Sequence, residues 1–396
     1  MGRNILEYDI CIIGGGASGL MAAITAAKTG ASVLVFEINP DLAHKILATG
    51  NGRCNFTNSN INSAAYHNYN YDCIENIFDQ FGYEDTLKFF YEENVLYDKR
   101  GDLYYPRTNE AATIREALVK TATDLGVEFI YERKIKSFNT VDDGFVIDRD
   151  INPVYCNKLI IATGGNTSKI PGSNGDGFYY ASLLGHNVIS PLPALGKLII
   201  SDRSLSKVSG VRTKAKVNTY VEDELIEFHE GELQFSEDGI SGIVVFQASR
   251  CISRALNSGK KAWVECDLIP EYTEDEVADM LKNRLENHNT ADAISGIVPE
   301  KLTRYIYNKS QGDLDKCVKL FKHMTFIPDR VDDKTAQVTT GGVDMSEINK
   351  STLESLIHPG LYFAGEVLDV DGICGGYNLQ WAWSSGYVAG LHASER

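Results

Sequence analysis

The chain has 396 residues, enough to bury a large core and to hold two or three domains. Its 54 acidic and 38 basic residues leave a net charge of -16, which argues against nucleic acid and anionic membrane surfaces as partners, since both require basic patches. The eight cysteines form no C-x-x-C pair, no run reaches the roughly 18 apolar residues of a transmembrane helix, and the N-terminus lacks a leader pattern, so no disulfide framework, zinc or other metal site or stable membrane association is suggested and a cytoplasmic protein is expected.

Tyr8 to Ile13 reads as a short apolar strand, and Gly14-Gly15-Gly16-Ala17-Ser18-Gly19 follows it directly with G-x-G-x-x-G spacing. Leu20 to Thr29 is an Ala-rich helix that Gly30 stops, and Ser32 to Phe36 is the next strand, with Glu37 at its end. Gly14 permits the tight turn, Gly16 lets the backbone approach a pyrophosphate, and Gly19 lets the helix pack close to the strand. The helix N-terminus offers unpaired N–H groups and a positive dipole end to that pyrophosphate. Glu37 would accept hydrogen bonds from a ribose diol, which favours an adenosine without a 2′-phosphate. The whole unit therefore predicts a bound dinucleotide.

Further along, a helix is expected from Asn109 to Leu125 and a strand from Gly126 to Tyr131. Short strands at Ile135 to Phe138 and Phe145 to Asp148 flank the hairpin signal Asp142-Asp143-Gly144, and Lys158 to Ala162 is an apolar strand ending in Thr163-Gly164-Gly165. After Pro191 the pattern changes. Lys214 to Val221 alternates polar and apolar residues, and Lys261 to Ile269 does so in part, which predicts antiparallel strands. A helix opens at Thr273 with a capping box to Glu276 and buries Val277, Met280, Leu281 and Leu285. From Thr339 the glycine-rich α/β character returns, with a strand at Gly360 to Glu366 and a last helix from Asn378 to His392. The domain that begins the chain is thus expected to end it, around an insertion.

Beyond the glycine loop, several segments are more discriminating: Lys45-Ile46-Leu47-Ala48-Thr49-Gly50-Asn51-Gly52-Arg53-Cys54-Asn55 with Thr57-Asn58, Ala162-Thr163-Gly164-Gly165, Gly175-Asp176-Gly177, Thr340-Gly341-Gly342-Val343, and Gly360 to Trp383. On these, the chain resembles the BaiN-like family of FAD-dependent oxidoreductases, a branch of the two-dinucleotide-binding-domain flavoproteins, over its whole length. The resemblance implies an α/β fold in which a Rossmann-like FAD-binding domain, a parallel sheet plus a β-meander, occupies 1–190 and 336–396. A β-barrel-like domain (191–270) and a helical subdomain (271–335) would interrupt it. One departure is Ile243-Val244, where a Gly-Pro-like step is expected after Ser241-Gly242; it bears on substrate contacts rather than on FAD.

The resemblance also implies a site. Lys45, Gly50, Asn51, Arg53, Cys54 and Asn55 would lie along the pyrophosphate and ribityl chain toward the isoalloxazine, and the backbone of Ile135 would meet adenine. Thr163 and Gly164 would join the cofactor site, and Gly365 and Glu366 would bind the ribityl or pyrophosphate region. The last helix, entered through Gly376, would aim the N–H groups of Asn378 and Leu379 at flavin N1 and the C2 carbonyl, where reduced flavin carries its charge. Cys54 is read as a buried or flavin-packing thiol rather than half of a redox dithiol, because no C-x-x-x-x-C pair exists. Arg53 contacts cofactor or a substrate anion, or forms an internal ion pair. Tyr377 is either a proton donor or a packed aromatic, and Tyr104, Tyr105 and Arg107 form a loop that could line the substrate cavity.

No second G-x-G-x-x-G unit follows, so NAD(P)H would visit transiently or another protein would reduce the flavin. The activity implied by the resemblance is hydride transfer through flavin N5 to a small-molecule C=C bond conjugated to a ketone, of the 3-oxo-4-ene or 4,6-diene bile-acid or steroid type. A fumarate-reductase-like reaction and a non-catalytic flavin sensor stay open, as do a homo-oligomer and an electron-donor protein as partner.

Overall fold

The computed structural model describes residues 6–67, 71–148, 152–167 and 172–395. Strand β1 (Leu6–Ile13) emerges from an exposed start, and Ile10, Cys11, Ile12 and Ile13 are buried, because the strand is paired in parallel on both sides. On one side lies β2 (Val33–Phe36), in register Ile10 to Val33 and Ile13 to Phe36; on the other lies Val154–Ile161, with Ile13 opposite Ile161. Such doubly covered strands read as unbroken apolar runs rather than as alternating ones. Glu128–Ile130 extends the parallel sheet beyond β2.

Val154–Ile161 is shared between two neighbours. Its first half pairs antiparallel with Gly144–Ile147, which continues into Phe138–Val141 as a meander. Its second half pairs in parallel with Leu361–Phe363, so the C-terminal part of the chain joins the sheet at the carboxyl ends of the strands, where α/β folds place ligands. Between β1 and β2 runs helix α1 (Ala17–Lys28). The C-terminal helix, Tyr377–Ala393, packs along it at very short range: a Cβ on Gly386 would stand 2.4 Å from the Ser18 carbonyl oxygen, and one on Gly390 2.3 Å from that of Ala22.

That helix is locked from several directions. Trp381 and Trp383 are fully buried and donate their indole N–H groups to the carbonyls of Gly365 (3.1 Å) and Phe56 (2.8 Å). Each indole removes on the order of 200 Å² from water, a gross gain of about 5 kcal/mol. Thr57 donates to Gln380, Gln380 to Ser384, and Ser384 to the Phe81 carbonyl, so the polar side chains of this buried face are satisfied.

The chain folds into two compact units, 1–191 with 339–396 and 192–338. The second is built on an open antiparallel sheet ordered Met324–Phe326, Ala262–Asp267, Arg212–Val221, Glu224–Ser236, Gly239–Ser241, Leu198–Ile199, Arg330–Val331. Helices Ile243–Asn257, Glu274–Leu285, Glu300–Ser310 and Leu314–Lys322 share its apolar core. Both bonds of the Thr273–Glu276 capping box are present. Among the described residues, no helix is long and apolar enough to cross a membrane.

Several expected elements have other bounds: the first helix runs Ala17–Lys28, and the strand expected over Gly360 to Glu366 covers only Leu361–Phe363 before a 3-10 turn at Gly365–Val367. The strand anticipated over Ile135 to Phe138 begins only at Phe138. Before it, the Asp148 carboxylate takes the N–H groups of Lys136 (2.8 Å) and Ser137 (3.3 Å), and the Tyr180 hydroxyl takes the Ile135 carbonyl (2.8 Å), leaving no ladder to form there. The last helix starts at Tyr377 rather than Asn378, with Gly376 at φ +90° as the residue before it.

Candidate functional site

The glycine loop sits at the carboxyl end of β1 and feeds α1. Gly14 has φ +105° and packs so tightly on the next strand that a Cβ would lie 2.5 Å from the Ala162 carbonyl oxygen. A Cβ on Gly19 would lie 1.9 Å from the Gly14 carbonyl oxygen, whereas one on Gly16 would meet nothing within 4 Å. Two glycines are thus required by packing, and the third faces open space at the first turn of a helix.

Glu37 is 6% exposed and turns back toward this loop. One carboxylate oxygen accepts the Gly15 N–H at 2.8 Å; the other accepts the N–H and the side-chain amide of Asn39, both at 2.8 Å. A carboxylate has about four lone-pair sites, and three of them are filled by the bonds seen among the described residues. Ala43 N–H donates to the Gly15 carbonyl (2.9 Å), which ties helix α2 (His44–Ala48) to the same place.

From α2, Lys45 reaches Glu366 at 2.5 Å, with side chains 34% and 19% exposed. The other Glu366 oxygen accepts the Thr339 N–H at 2.8 Å. Gly365 touches α1 closely enough that a Cβ would stand 2.4 Å from the Ser18 hydroxyl. The two ends of the chain therefore meet at the glycine loop, through an ion pair whose members the sequence had assigned separately to cofactor. Thr163 and Gly164 follow the strand Val154–Ile161; the Thr163 hydroxyl is buried with no hydrogen-bond partner among the described residues.

After α2 the backbone becomes unusual: Gly50, Asn51, Gly52 and Cys54 all have positive φ. Cys54 is buried, and burial pushes its thiol up to about 12, so it is an inert packing thiol. Arg53 is exposed and donates to the Gly50 carbonyl at 3.3 Å. Asn55 comes next, and its side-chain oxygen is buried without a hydrogen-bond partner. That oxygen lies beside Gly376, where a Cβ would approach it to 3.1 Å. Asn58, a residue the sequence had not singled out for a role, donates its amide to the Gly375 carbonyl at 2.9 Å and fixes this approach. Asn378 spends its side chain on Gly372, exchanging two bonds of 2.8 Å, so of the donors expected at the flavin only the backbone N–H groups of Asn378 and Leu379, in the first turn of the helix, are left.

The expected catalytic residues lie around the small sheet formed by Thr57–Asn58, Leu103–Pro106 and Tyr97–Arg100. Tyr377 is 5% exposed; its hydroxyl donates to the Asn60 carbonyl at 3.4 Å, and burial, then the Asp102 carboxylate, raise it above the ordinary tyrosine range. Tyr105 borders Gly50 and carries the Arg100 guanidinium over its ring at 4.8 Å. Tyr104 is buried on the opposite side, T-shaped to Tyr97, and Arg107 is exposed just past the strand. Ile135, whose backbone was expected to meet adenine, is buried, and its carbonyl accepts from the Tyr180 hydroxyl at 2.8 Å. Among the described residues, no cluster of His, Cys, Asp or Glu could hold a metal ion.

The family model described as "HI0933-like protein Rossmann domain" matches residues 8–392. The chain belongs to this HI0933-like family. It is 38% identical to the 3-dehydro-bile acid delta(4,6)-reductase of Clostridium scindens, over 98% of this chain and 99% of the relative. It is 30% identical to the ribosomal RNA dihydrouridine synthase of Haemophilus influenzae, over 97% of this chain and 98% of that protein. Among solved structures, the 3-ketosteroid-delta4-(5alpha)-dehydrogenase of Rhodococcus jostii matches with a TM-score of 0.51 at 14% identity, covering 100% of this chain and 98% of that one, a likeness of fold.

As a HI0933-like protein, the chain is an FAD-dependent oxidoreductase, as the Lys45 to Asn58 and Gly365 to Trp383 motifs had indicated. Its residues fit the cofactor on three independent observations: the open face of Gly16 at a helix N-terminus, the Glu37 carboxylate turned back on the loop, and the orphaned oxygen of Asn55 beside a second helix N-terminus.

Proposed function

We propose that this protein reduces a carbon–carbon double bond conjugated to a carbonyl, on a small 3-oxo-4-ene or 4,6-diene of bile-acid or steroid type, with NAD(P)H as the electron source. The observation that carries the reading is the 38% identity, along essentially the full length of both chains, to a bile-acid delta(4,6)-reductase. When bound, FAD supplies hydride transfer at N5.

The chain's own residues do the rest. The N–H groups from Gly16 to Ser18 would hold the pyrophosphate on the positive end of α1, and Glu37, which already takes the Gly15 N–H, would hold the adenosine ribose. Lys45 and Glu366 border the segment between them. The N-terminus of helix Tyr377–Ala393 would favour negative charge on the pyrimidine edge of the flavin. As hydride reaches the far carbon of the enone, negative charge grows on the carbonyl oxygen, and a hydrogen-bond donor there lowers the barrier. Tyr377 and Tyr105 are the hydroxyls proposed for that task and for proton delivery, and Arg107 lines the entrance. Because burial raises Tyr377, it stays protonated near neutral pH and acts as donor, not base.

A ribosomal uridine is the second reading, favoured by the Haemophilus influenzae relative. Dihydrouridine also results from saturating a double bond conjugated to a carbonyl, so the flavin chemistry would be shared. The net charge of -16 weighs against a polyanionic substrate. Incubation with NAD(P)H and a 3-oxo-4,6-diene bile acid should yield a product heavier by one hydrogen pair. Recovery of unchanged dienone, with dihydrouridine formed in ribosomal RNA instead, would replace the first reading by the second.

A further inference from the structure

We infer that the protein carries a second site for a bile-acid-type carboxylic acid, in a tyrosine-lined cleft set apart from the cofactor; the ligand class rests on the reading proposed above. Tyr83, Leu87 and Tyr91 recur every fourth residue along helix Tyr83–Glu92 and so share one face of it. That face looks across at Tyr97 and Tyr104 of the small sheet, and the cleft they line has a volume of about 450 Å³. Small-molecule sites run from roughly 300 to 1,000 Å³.

The cleft lies outside the FAD site. Side chains alternate across a strand, so Tyr104 and Tyr105 point to opposite faces of the sheet. Tyr105 borders Gly50, whereas Tyr104 pairs with Lys99 and packs T-shaped on Tyr97 at 5.7 Å, on the face that lines the cleft.

Polar groups make it more than a packed aromatic surface. Tyr104 is 8% exposed, yet its hydroxyl has no hydrogen bond among the described residues and is not closed off from solvent. A tyrosine so deeply buried ordinarily finds a partner for its hydroxyl. The Tyr83 hydroxyl donates to Glu84 at 3.2 Å; that bond first, then partial burial, the Glu84 charge and the nearby Tyr104 raise it above the ordinary tyrosine range, which sets the two hydroxyls in one cleft. Lys88 also lines the cleft, and the Lys99 ammonium stands 5.5 Å from the Tyr104 ring centre. Neither lysine has a carboxylate partner among the described residues.

These groups define the ligand. The tyrosine rings and Leu87 take a rigid apolar ring system, and the Tyr104 hydroxyl and Glu84 take hydroxyls on its edge. Lys88, an unpaired cation in a chain of net charge -16, takes a carboxylate. A hydroxylated steroid acid carries all three features; a neutral sterol lacks the anion, and a simple aromatic acid lacks the ring hydroxyls.

The FAD-loaded full-length protein is titrated by isothermal calorimetry with cholate, which has no enone to be reduced, and with its neutral methyl ester. Wild type should bind cholate about tenfold more tightly than the ester, and Lys88→Ala should bind the two alike. Tyr91→Ala removes a ring that is 62% exposed from the cleft wall and should weaken both ligands about tenfold. Lys88 and Tyr91 are both exposed, so reduction of the dienone at saturating concentration should match wild type in either variant. Equal uptake of cholate by wild type, Lys88→Ala and Tyr91→Ala overturns the inference, as does the absence of any uptake by wild type. A failure of the enone reading shows instead as no product from the dienone, with the cholate affinities and their loss in the variants unchanged.

Discussion

Placing the same methyl group at two positions three residues apart should separate what the glycine loop does for the fold from what it does for the cofactor. Gly16 has φ -80° and ψ -167°, a conformation open to any residue, and its added Cβ would meet nothing within 4 Å. Alanine before a helix is poorer than glycine by up to about 1 kcal/mol, and the stiffer unfolded chain returns about 0.4–1 kcal/mol. Gly16→Ala should therefore leave the FAD-free protein within about 1 kcal/mol of wild type, a melting shift of no more than about 4 °C for a unit of this size. Its effect on FAD is of another order, because the methyl stands where the phosphates must approach the loop. Losing two charge-assisted bonds at about 1.5–3 kcal/mol each weakens binding by about two to four orders of magnitude. Gly19→Ala has the opposite signature. Its Cβ would lie 1.9 Å from the Gly14 carbonyl oxygen, so the loop cannot close on α1 and the FAD-free protein itself should unfold early. Fluorescence titration of FAD and melting of the deflavinated chain read the two effects separately. Gly16→Ala that binds FAD within threefold of wild type would refute the placement of the pyrophosphate.

Glu37→Gln keeps the shape but offers one oxygen where two face N–H donors, so a buried N–H of Gly15 or Asn39 loses its acceptor at about 1–3 kcal/mol. FAD affinity should fall about tenfold beyond that through the ribose, and an unchanged affinity would remove Glu37 from the site. Tyr377→Phe loses only a long bond to the carbonyl of exposed Asn60, so stability should hold while reoxidation by substrate slows about a hundredfold or more and reduction by NAD(P)H does not; equal slowing of both half-reactions would make it a packing residue. His186 is wholly buried between Glu347 (3.1 Å) and Ser355 (2.9 Å), and burial lowers it below its usual 6.5. The unfolded chain then binds the extra proton first, so stability should fall as pH drops from about 6.5 toward the lowered value. In His186→Gln that part of the acid sensitivity should vanish, and melting curves of both proteins at pH 7.5 and 5.5 check it; a pH-independent difference between them would contradict the assignment.

The start of the chain was legible because every signal there is local. An unbroken apolar strand, three glycines at fixed spacing, an Ala-rich helix and a terminal acid each follow from neighbouring residues, and the structure shows each in place. The start of the strand at Ile135 was misplaced because the hairpin signal Asp142-Asp143-Gly144 calls for a strand before it without fixing where that strand begins, whereas the hydrogen bonds of Asp148 and Tyr180 that preclude one at Ile135 come from outside it. The Lys45–Glu366 pair was invisible for the same reason, since only the parallel pairing of Leu361–Phe363 brings Glu366 to α2. Gln380, buried and bonded to Thr57, carried a faint signal as an amide flanked by the aromatic and small residues of the last helix. Asn55 could be named from a motif, but its unpaired oxygen and its neighbour Gly376 are facts of three dimensions.

Anaerobic stopped-flow on the NAD(P)H-reduced protein, watching flavin absorbance after mixing with a 3-oxo-4,6-diene bile acid, addresses the proposed chemistry at its decisive step. Rapid return of oxidised flavin with matching loss of the diene is the predicted result. Flavin that stays reduced with the dienone, while ribosomal RNA or a small dicarboxylate reoxidises it, is the result that would contradict it.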